Sequence, residues 1–451
     1  MAKKKKLVRS TREKSVPKAS LWEKQIQQPL IAKQKKTVTI PSWIIPSILI
    51  ITFLAYIPVL NAGFVSWDDG EYVYENPFFK ANDLSSLLAE PMQGNFHPLT
   101  MLSLYFNYLI SGFDAWSYHL LNVIFHLLNC FLVFRLAMLL SNGKTIVAFV
   151  TAILFGIHPV HVESVAWVAE RKDVLYTVFF LAALISYFKY AKTNSRKHYL
   201  FSVLLFVLSL LSKPSAVIFP LVLFCTDLLL KRELNKKLIL EKIPFGILAL
   251  IMGIVTYYAQ HEAGSFGKIH FDLITKVLYG FYGIMMYIIK LFIPANLAVF
   301  YPYPPINVRL PAEYYIAPVF FAILAFVFFY SLKRNRVIAF GILFYIINLL
   351  LVLQFLPVGS AVIAERYTYI PYMGLFFILG WLIDRSARGK ISKASLFISP
   401  VVLLFSILTW RQASTWHDSA SLWDNAIKNR PTDKAYAVRA MLLRKEKNYT
   451  L

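Results

Sequence analysis

Residues 40–72 read IPSWIIPSILIITFLAYIPVLNAGFVSWDDGEY. From Ile40 to Leu60 there is no charged side chain, and the run matches the ~20 apolar residues a helix needs to cross a bilayer. A few residues later Trp67-Asp68-Asp69-Gly70-Glu71-Tyr72 brings three carboxylates onto the chain as it leaves the lipid. Adjacent carboxylates repel one another and resist desolvation, so the Asp68-Asp69 pair needs a reason to sit there. One reason is chemical: a general base with a raised pKa, or two carboxylates holding a cation. The other is conformational, because Asp-Asp-Gly is ordinary turn chemistry.

The rest of the chain repeats the apolar theme. Of 451 residues, 58% are hydrophobic and only 16% charged, against about 25% charged in an average soluble protein. Mean hydropathy is +0.56. This excludes a disordered chain, a coiled coil, a disulfide scaffold and a soluble Rossmann-type enzyme. Cys130 and Cys225 both lie inside apolar runs and supply neither a disulfide framework nor a metal-ligand spacing. The formal charge of +23 would suggest nucleic acid in a soluble protein; in a membrane protein it is first a statement about sidedness.

Twelve apolar runs of membrane-spanning character follow one another from Ile40–Leu60 to Leu396–Trp410. Residues 1–39 hold 12 Lys or Arg against Glu13 and Glu23 and read as a basic cytoplasmic tail at anionic headgroups, not a nucleic-acid arm. Basic clusters at 189–197, 231–237, 333–336 and 385–393 all fall on that inner side if residues 243–309 cross the membrane once. That predicts about eleven crossings, with 277–293 or the segment beside it re-entrant or interfacial. The N-terminus is then cytoplasmic, and the first loop, 61–117, and the C-terminal segment are external. After the last span, Leu422, Trp423, Ala426 and Ile427 share one helix face, Pro431 stops that helix and another begins. This resembles the start of a tetratricopeptide array. A single repeat cannot bury its own face, so residues 411–451 are either a truncated array or helices packed on the membrane domain, 40–410.

Four further groups carry potential chemistry. His158-Pro-Val-His161-Val-Glu163 is followed by Glu170-Arg171-Lys172-Asp173; the histidine spacing is not that of a helical zinc motif, and the alternating run is either an interfacial ion network or part of a site. Lys213 ends a short apolar run, where it either holds an anion or snorkels to headgroups. Arg366 stands in Ala-Glu-Arg-Tyr-Thr-Tyr-Ile-Pro, with Glu365 available to neutralise it. His119, Asn122 and His126 share a helix face and follow His97 in Phe-His-Pro-Leu-Thr; such polar side chains point into a bundle as interhelical glue or as substrate contacts.

Taken in order, Asp-Asp-x-x-Tyr-Val-x-x-Asn-Pro at Asp68, His-Pro-Leu-Thr at His97, His-Leu-Leu-Asn-x-x-x-His at His119, His-Pro-Val-His-Val-Glu-Ser-Val-Ala-Trp at His158, Glu-Arg-Lys-Asp at Glu170, Lys-Pro at Lys213, Pro-Ala-Asn-Leu-Ala-Val-Phe-Tyr-Pro at Pro294 and Ala-Glu-Arg-Tyr-Thr-Tyr-Ile-Pro at Ala364 resemble bacterial relatives of the transmembrane and tetratricopeptide-repeat O-mannosyltransferases. The resemblance implies an all-α polytopic membrane protein with a C-type glycosyltransferase-like bundle, in the bacterial cytoplasmic membrane. It implies a polyprenyl-phosphate hexose as donor, bound from the membrane lipid, and a protein or glycan hydroxyl as acceptor. The catalytic acid of the first external loop maps onto Asp68 or Asp69. From the chemistry of such a donor, the leaving phosphate needs cations, for which Lys213, Arg171 and Arg366 are the candidates. His97, His119, His126, His158, His161, Glu163 and Glu365 are candidate supporting residues. No residue spacing supports a divalent metal. A transporter or flippase of lipid-linked sugars would show related halves, and no internal repeat is seen. A membrane-anchored repeat scaffold is the third reading, weakened by how little of the chain is repeat.

Overall fold

The computed structural model describes residues 40–264, 271–305, 308–355 and 359–449, almost all of them in helices or short turns. The basic tail expected at 1–39 lies outside the described residues. The main helices are α1 (Ile44–Ala55), α2 (Pro98–Ser111), α3 (Trp116–Leu140), α4 (Thr145–Ile157), α5 (Arg171–Thr193), α6 (Arg196–Ser212), α7 (Phe219–Leu230), α8 (Ile243–Glu262), α9 (Leu273–Phe292), α10 (Ala312–Arg334), α11 (Arg336–Leu349), α12 (Pro371–Ser386), α13 (Ile391–Ser414), α14 (Ser419–Asn429) and α15 (Asp433–Tyr449). Among the described residues, six helical segments are long and apolar enough to cross a membrane unaided, seven if the bent pair at Thr145–Ile157 and Pro159–Ala166 counts as one span. The eleven crossings expected above include shorter apolar helices such as Ile44–Ala55, Pro214–Leu230 and Arg336–Leu349, none of which spans a ~30 Å core on its own.

The centre of the bundle is built on α3, α4, α5 and α12. Close helix approach depends on small residues: a Cβ at either Gly341 on α11 or Gly374 on α12 would come within 2.5 Å of the other's carbonyl oxygen.

The break in α4 shapes the site. Pro159 has no N–H to continue the helix, and the chain bends by 53° into short helices at Val162–Ala166 and Val168–Glu170 before α5 begins. Every residue from 150 to 175 is buried, so the carbonyls left free by the break cannot turn to water. Side chains take them instead. His161 Nδ1–H donates to Phe155 O (2.9 Å), His126 Nε2–H to Gly156 O (2.9 Å) and Thr409 Oγ1–H to Ile157 O (2.6 Å). The Asn122 amide donates to Val165 O and Trp167 O at 3.0 and 3.1 Å. His158 accepts from Val160 N–H and donates to Leu291 O (3.0 Å).

Helix α9 is long and apolar enough to cross a membrane. Near its start Tyr279 meets Tyr303, and Tyr282 stacks on Tyr314 at a ring separation of 4.0 Å. Near its end Lys290 donates to Tyr301 Oη (3.0 Å), and Tyr287 accepts from the Ala364 N–H. The loop before α10 reaches the Asp68 loop through Phe300, whose ring is 5.9 Å from that of Trp67. It is tied to the loop before α12 by an antiparallel pairing of β1 (Tyr301–Pro302) with β2 (Ala361–Ile363), which sets Glu365 and Arg366 beside the α4 break.

The C-terminal helices dock on this layer. Ser66 N–H donates to Ser419 Oγ (2.8 Å), Gly63 N–H to His417 O (2.8 Å), and the amides of Asn425 and Asn429 donate to Leu297 O at 3.1 and 2.8 Å. Trp423 is fully buried, its ring 5.0 Å from that of Trp67. Residues 417–429 thus pack on the helical bundle.

Candidate active site

Asp68 and Asp69 are neighbours in sequence and unlike in environment. They precede a π-helical turn, Gly70–Tyr74, in which Glu75 N–H reaches back to Gly70 O (2.7 Å). Asp69 is buried, and both its carboxylate oxygens are used: Oδ2 accepts from Val65 N–H (2.9 Å) and Oδ1 from Ala169 N–H (2.8 Å). It clamps the first loop to the staircase below the α4 break. Burial pushes its pKa up to about 7, against the opposing pull of those two N–H groups. Asp68 is only partly buried, and its carboxylate makes no hydrogen bond or ion pair among the described residues. Burial raises its pKa too, with Lys172 the largest opposing influence. The aspartate whose oxygens are free to take a proton is therefore Asp68.

Beneath Asp68 lies a compact ion network. Glu170 is its hub, with Arg366 Nε at 3.2 Å, Lys172 Nζ at 3.3 Å and Lys213 Nζ at 3.4 Å. Lys213 also pairs with Asp173, and the Arg366 guanidinium with Glu163, whose other oxygen accepts the Arg366 backbone N–H (2.9 Å). Three carboxylates thus hold three cations, and Asp68 stands outside the set. Trp167 forms the floor, with the Arg366 guanidinium 5.4 Å and the Lys172 ammonium 5.9 Å from its ring.

Of the residues proposed from sequence, Asp68, Asp69, Glu163, Lys213 and Arg366 come together. Arg171 does not. Its guanidinium turns between α2 and α3, donating to Asn107 Oδ1 (3.0 Å), Tyr118 O (2.7 Å) and Asn122, with no carboxylate beside it. One residue along a helix is a 100° rotation, so Arg171 and Lys172 cannot both face the site, and Lys172 is the one that does. Glu365 does not neutralise Arg366 either. It accepts from Ala298 N–H (2.9 Å) and Tyr301 Oη–H, and burial lifts its pKa to about 7 while Lys290 pulls it back.

The histidines separate from the site. His126, His158 and His161 satisfy the broken helix and its neighbours, as described above, and His119 Nε2 lies 3.3 Å from Gly63 O. His97 alone borders the network: buried, stacked on Tyr72 at 5.5 Å, with neither ring nitrogen bonded. Burial, then the nearby Lys172, lower its pKa to about 3. It is neutral at ordinary pH and cannot serve as a cation.

Two residues at the site escaped the sequence reading. Lys172 lay in the alternating run, which gave no phase. Lys434, whose ammonium lies 4.0 Å from the Trp67 ring, belongs to a segment with no chemical signal of its own. Among the described residues no group of three or more His, Cys, Asp or Glu is placed to hold a metal ion.

Comparison with known proteins finds the following similarities. Residues 97–258 match the family model described as dolichyl-phosphate-mannose-protein mannosyltransferase. A protein O-mannosyl-transferase of Caenorhabditis elegans is 26% identical over 422 residues, which cover 86% of this chain and 58% of the relative. A Drosophila melanogaster protein O-mannosyl-transferase is 32% identical over 178 residues, 37% of this chain and 20% of its own. The chain is thus similar in sequence to protein O-mannosyl-transferases, and it spans about three fifths of the length of the worm protein. Among solved structures, ArnT from Cupriavidus metallidurans bound to undecaprenyl phosphate aligns over 88% of this chain and 74% of its own, at 14% identity and a TM-score of 0.45.

Proposed function

We propose that the chain is a membrane glycosyltransferase that moves a hexose, by its relatives a mannose, from a polyprenyl phosphate to a hydroxyl of a protein or glycan. The observation that carries this reading is the unpartnered Asp68 carboxylate set against a buried network of three cations. A hydroxyl is a poor nucleophile and needs a base; a phosphate is a good leaving group and needs positive charge. Asp68 takes the hydroxyl proton as the oxygen forms its bond to the anomeric carbon. The bond from that carbon to the phosphate oxygen breaks on the opposite face, so the configuration inverts and polyprenyl phosphate leaves. Lys172, Lys213 and Arg366 are the groups that share its charge, and Glu163, Glu170 and Asp173 hold them in place. Asp69 fixes the loop. His97, being neutral, borders the network without adding charge.

The test is turnover of radiolabelled polyprenyl-phosphate mannose by the purified full chain, with a Ser/Thr-rich peptide as acceptor. Transfer by the wild type and its loss in Asp68→Asn is the expected result. Donor that binds without release of polyprenyl phosphate in any variant would overturn the reading in favour of a carrier.

A further inference from the structure

The C-terminal helices reach the site with a charge of their own. Pro431 ends α14 and turns the chain so that the first turn of α15 falls back on the loop layer. There the Lys434 ammonium lies over two aromatic faces from different loops, 4.0 Å from the Trp67 ring centroid and 4.9 Å from that of Phe300. The two rings are themselves 5.9 Å apart. One turn earlier, Arg430 covers Tyr301 at 4.8 Å, beside the Glu365 and Lys290 cluster. A cation on an aromatic face gains about 0.5–1 kcal/mol even at exposed sites, enough to orient a lysine without pairing it. Lys434 has no carboxylate partner among the described residues, and Asp68, the next residue after Trp67, has no cation partner. Lys434 is thus a charge that the C-terminal segment seats on the ring next to Asp68 in the chain, and it acts on the Asp68 carboxylate electrostatically.

We propose that Lys434 is a positioning residue of the active site, delivered by the docked C-terminal segment as the electrostatic counterpart of Asp68 that keeps its carboxylate ionised. This inference rests on the reading of Asp68 as the base. It gives the segment after the last membrane helix a part in the site itself, beyond any role in holding acceptors. The other charges facing Asp68 are Lys172 and Arg366, which act in the same sense, and Glu170, Asp69 and Glu71, which act against it. All of these belong to the membrane domain and stay unchanged when Lys434 is replaced. Asp68 therefore reports on Lys434 against a constant background.

The experiment compares wild type with Lys434→Met, which keeps the stem over Trp67 and removes the charge, and Lys434→Arg, which keeps the charge. The readout independent of turnover is the pH at which Asp68 becomes reactive towards a water-soluble carbodiimide, which modifies the protonated carboxyl, followed by peptide mass spectrometry. Lys434→Met is expected to move that midpoint up by about half a pH unit, the size of a screened interaction between unpaired charges, with Lys434→Arg restoring it. The acid limb of the turnover profile should move with it. An unmoved midpoint in Lys434→Met overturns the proposal, as does a shift that Lys434→Arg fails to reverse. The wild type's own transfer of mannose decides the wider reading separately: the midpoint can move in a protein that transfers nothing, and stay put in one that does.

Discussion

Two buried ion clusters stand at opposite ends of this bundle, joined by α5. At one end Asp227 and Glu241 are held by Arg232 and Lys242: Lys242 Nζ reaches Asp227 Oδ2 at 2.5 Å, and Arg232 bridges Asp227 at 2.9 Å and Glu241 at 2.8 Å. Tyr187 closes the group with its hydroxyl on Asp227. Some 20 Å away along α5, at 1.5 Å per residue, lies the Glu170 cluster. The ingredients are the same, and the difference is at the edge. In the first cluster both carboxylates have cations, although Glu241 Oε1 is buried without a hydrogen bond of its own. The second has equal numbers of both signs and, beside it, an aspartate with none. Ion pairing buried in a membrane protein is weak evidence of function by itself; an unpaired carboxylate beside a paired network is much stronger.

The largest effect expected is at Asp68. Asp68→Asn should cut sugar transfer by about 10³-fold, within the range general-base removal produces, while the melting temperature stays near wild type. A loss smaller than tenfold would make Asp68 an ordinary loop residue and erase the contrast between the two ends. Asp227→Asn should do the reverse: it leaves Lys242 and Arg232 around a neutral amide and should cost about 3 kcal/mol of stability, seen as an early thermal transition, with turnover per folded molecule preserved. Asp69→Asn sharpens the comparison within the site. An amide in its place can accept at one atom only, so the N–H of Val65 or Ala169 loses its partner, at about 1–3 kcal/mol. Its thermal transition should fall while transfer drops far less than in Asp68→Asn.

The smallest effect is in pH dependence. Burial raises the Asp68 pKa above the ordinary carboxylate value of about 4. A base works only when ionised, so transfer should decline as pH falls, with a midpoint above 4. A limb at or below that value would mean that Asp68 is solvated and its pocket open.

Much of this was legible in the residues. Apolar runs announce helices in lipid because every backbone group there must be bonded within the segment, and the inversion from Leu60 to Asp68 announces a loop at a surface. Lys213, Glu163 and Arg366, far apart in the chain, were recognisable as unusual because charge near lipid is costly. The histidines were open between structural and substrate roles for the same reason. A polar side chain in an apolar run signals a need without saying whose, and at His126 and His161 the need belonged to the carbonyls of a broken helix.

Composition and order thus determined by themselves a multi-pass helical membrane protein with a carboxylate pair at its surface, since burial in lipid constrains residue type directly. Tertiary structure alone decided which carboxylate is free, which of Arg171 and Lys172 faces it, and that Lys434 arrives from the far end of the chain. Those are matters of helix phase and of which backbone N–H groups lie within 3 Å. They depend on where distant segments meet, and sequence spacing carries no record of that.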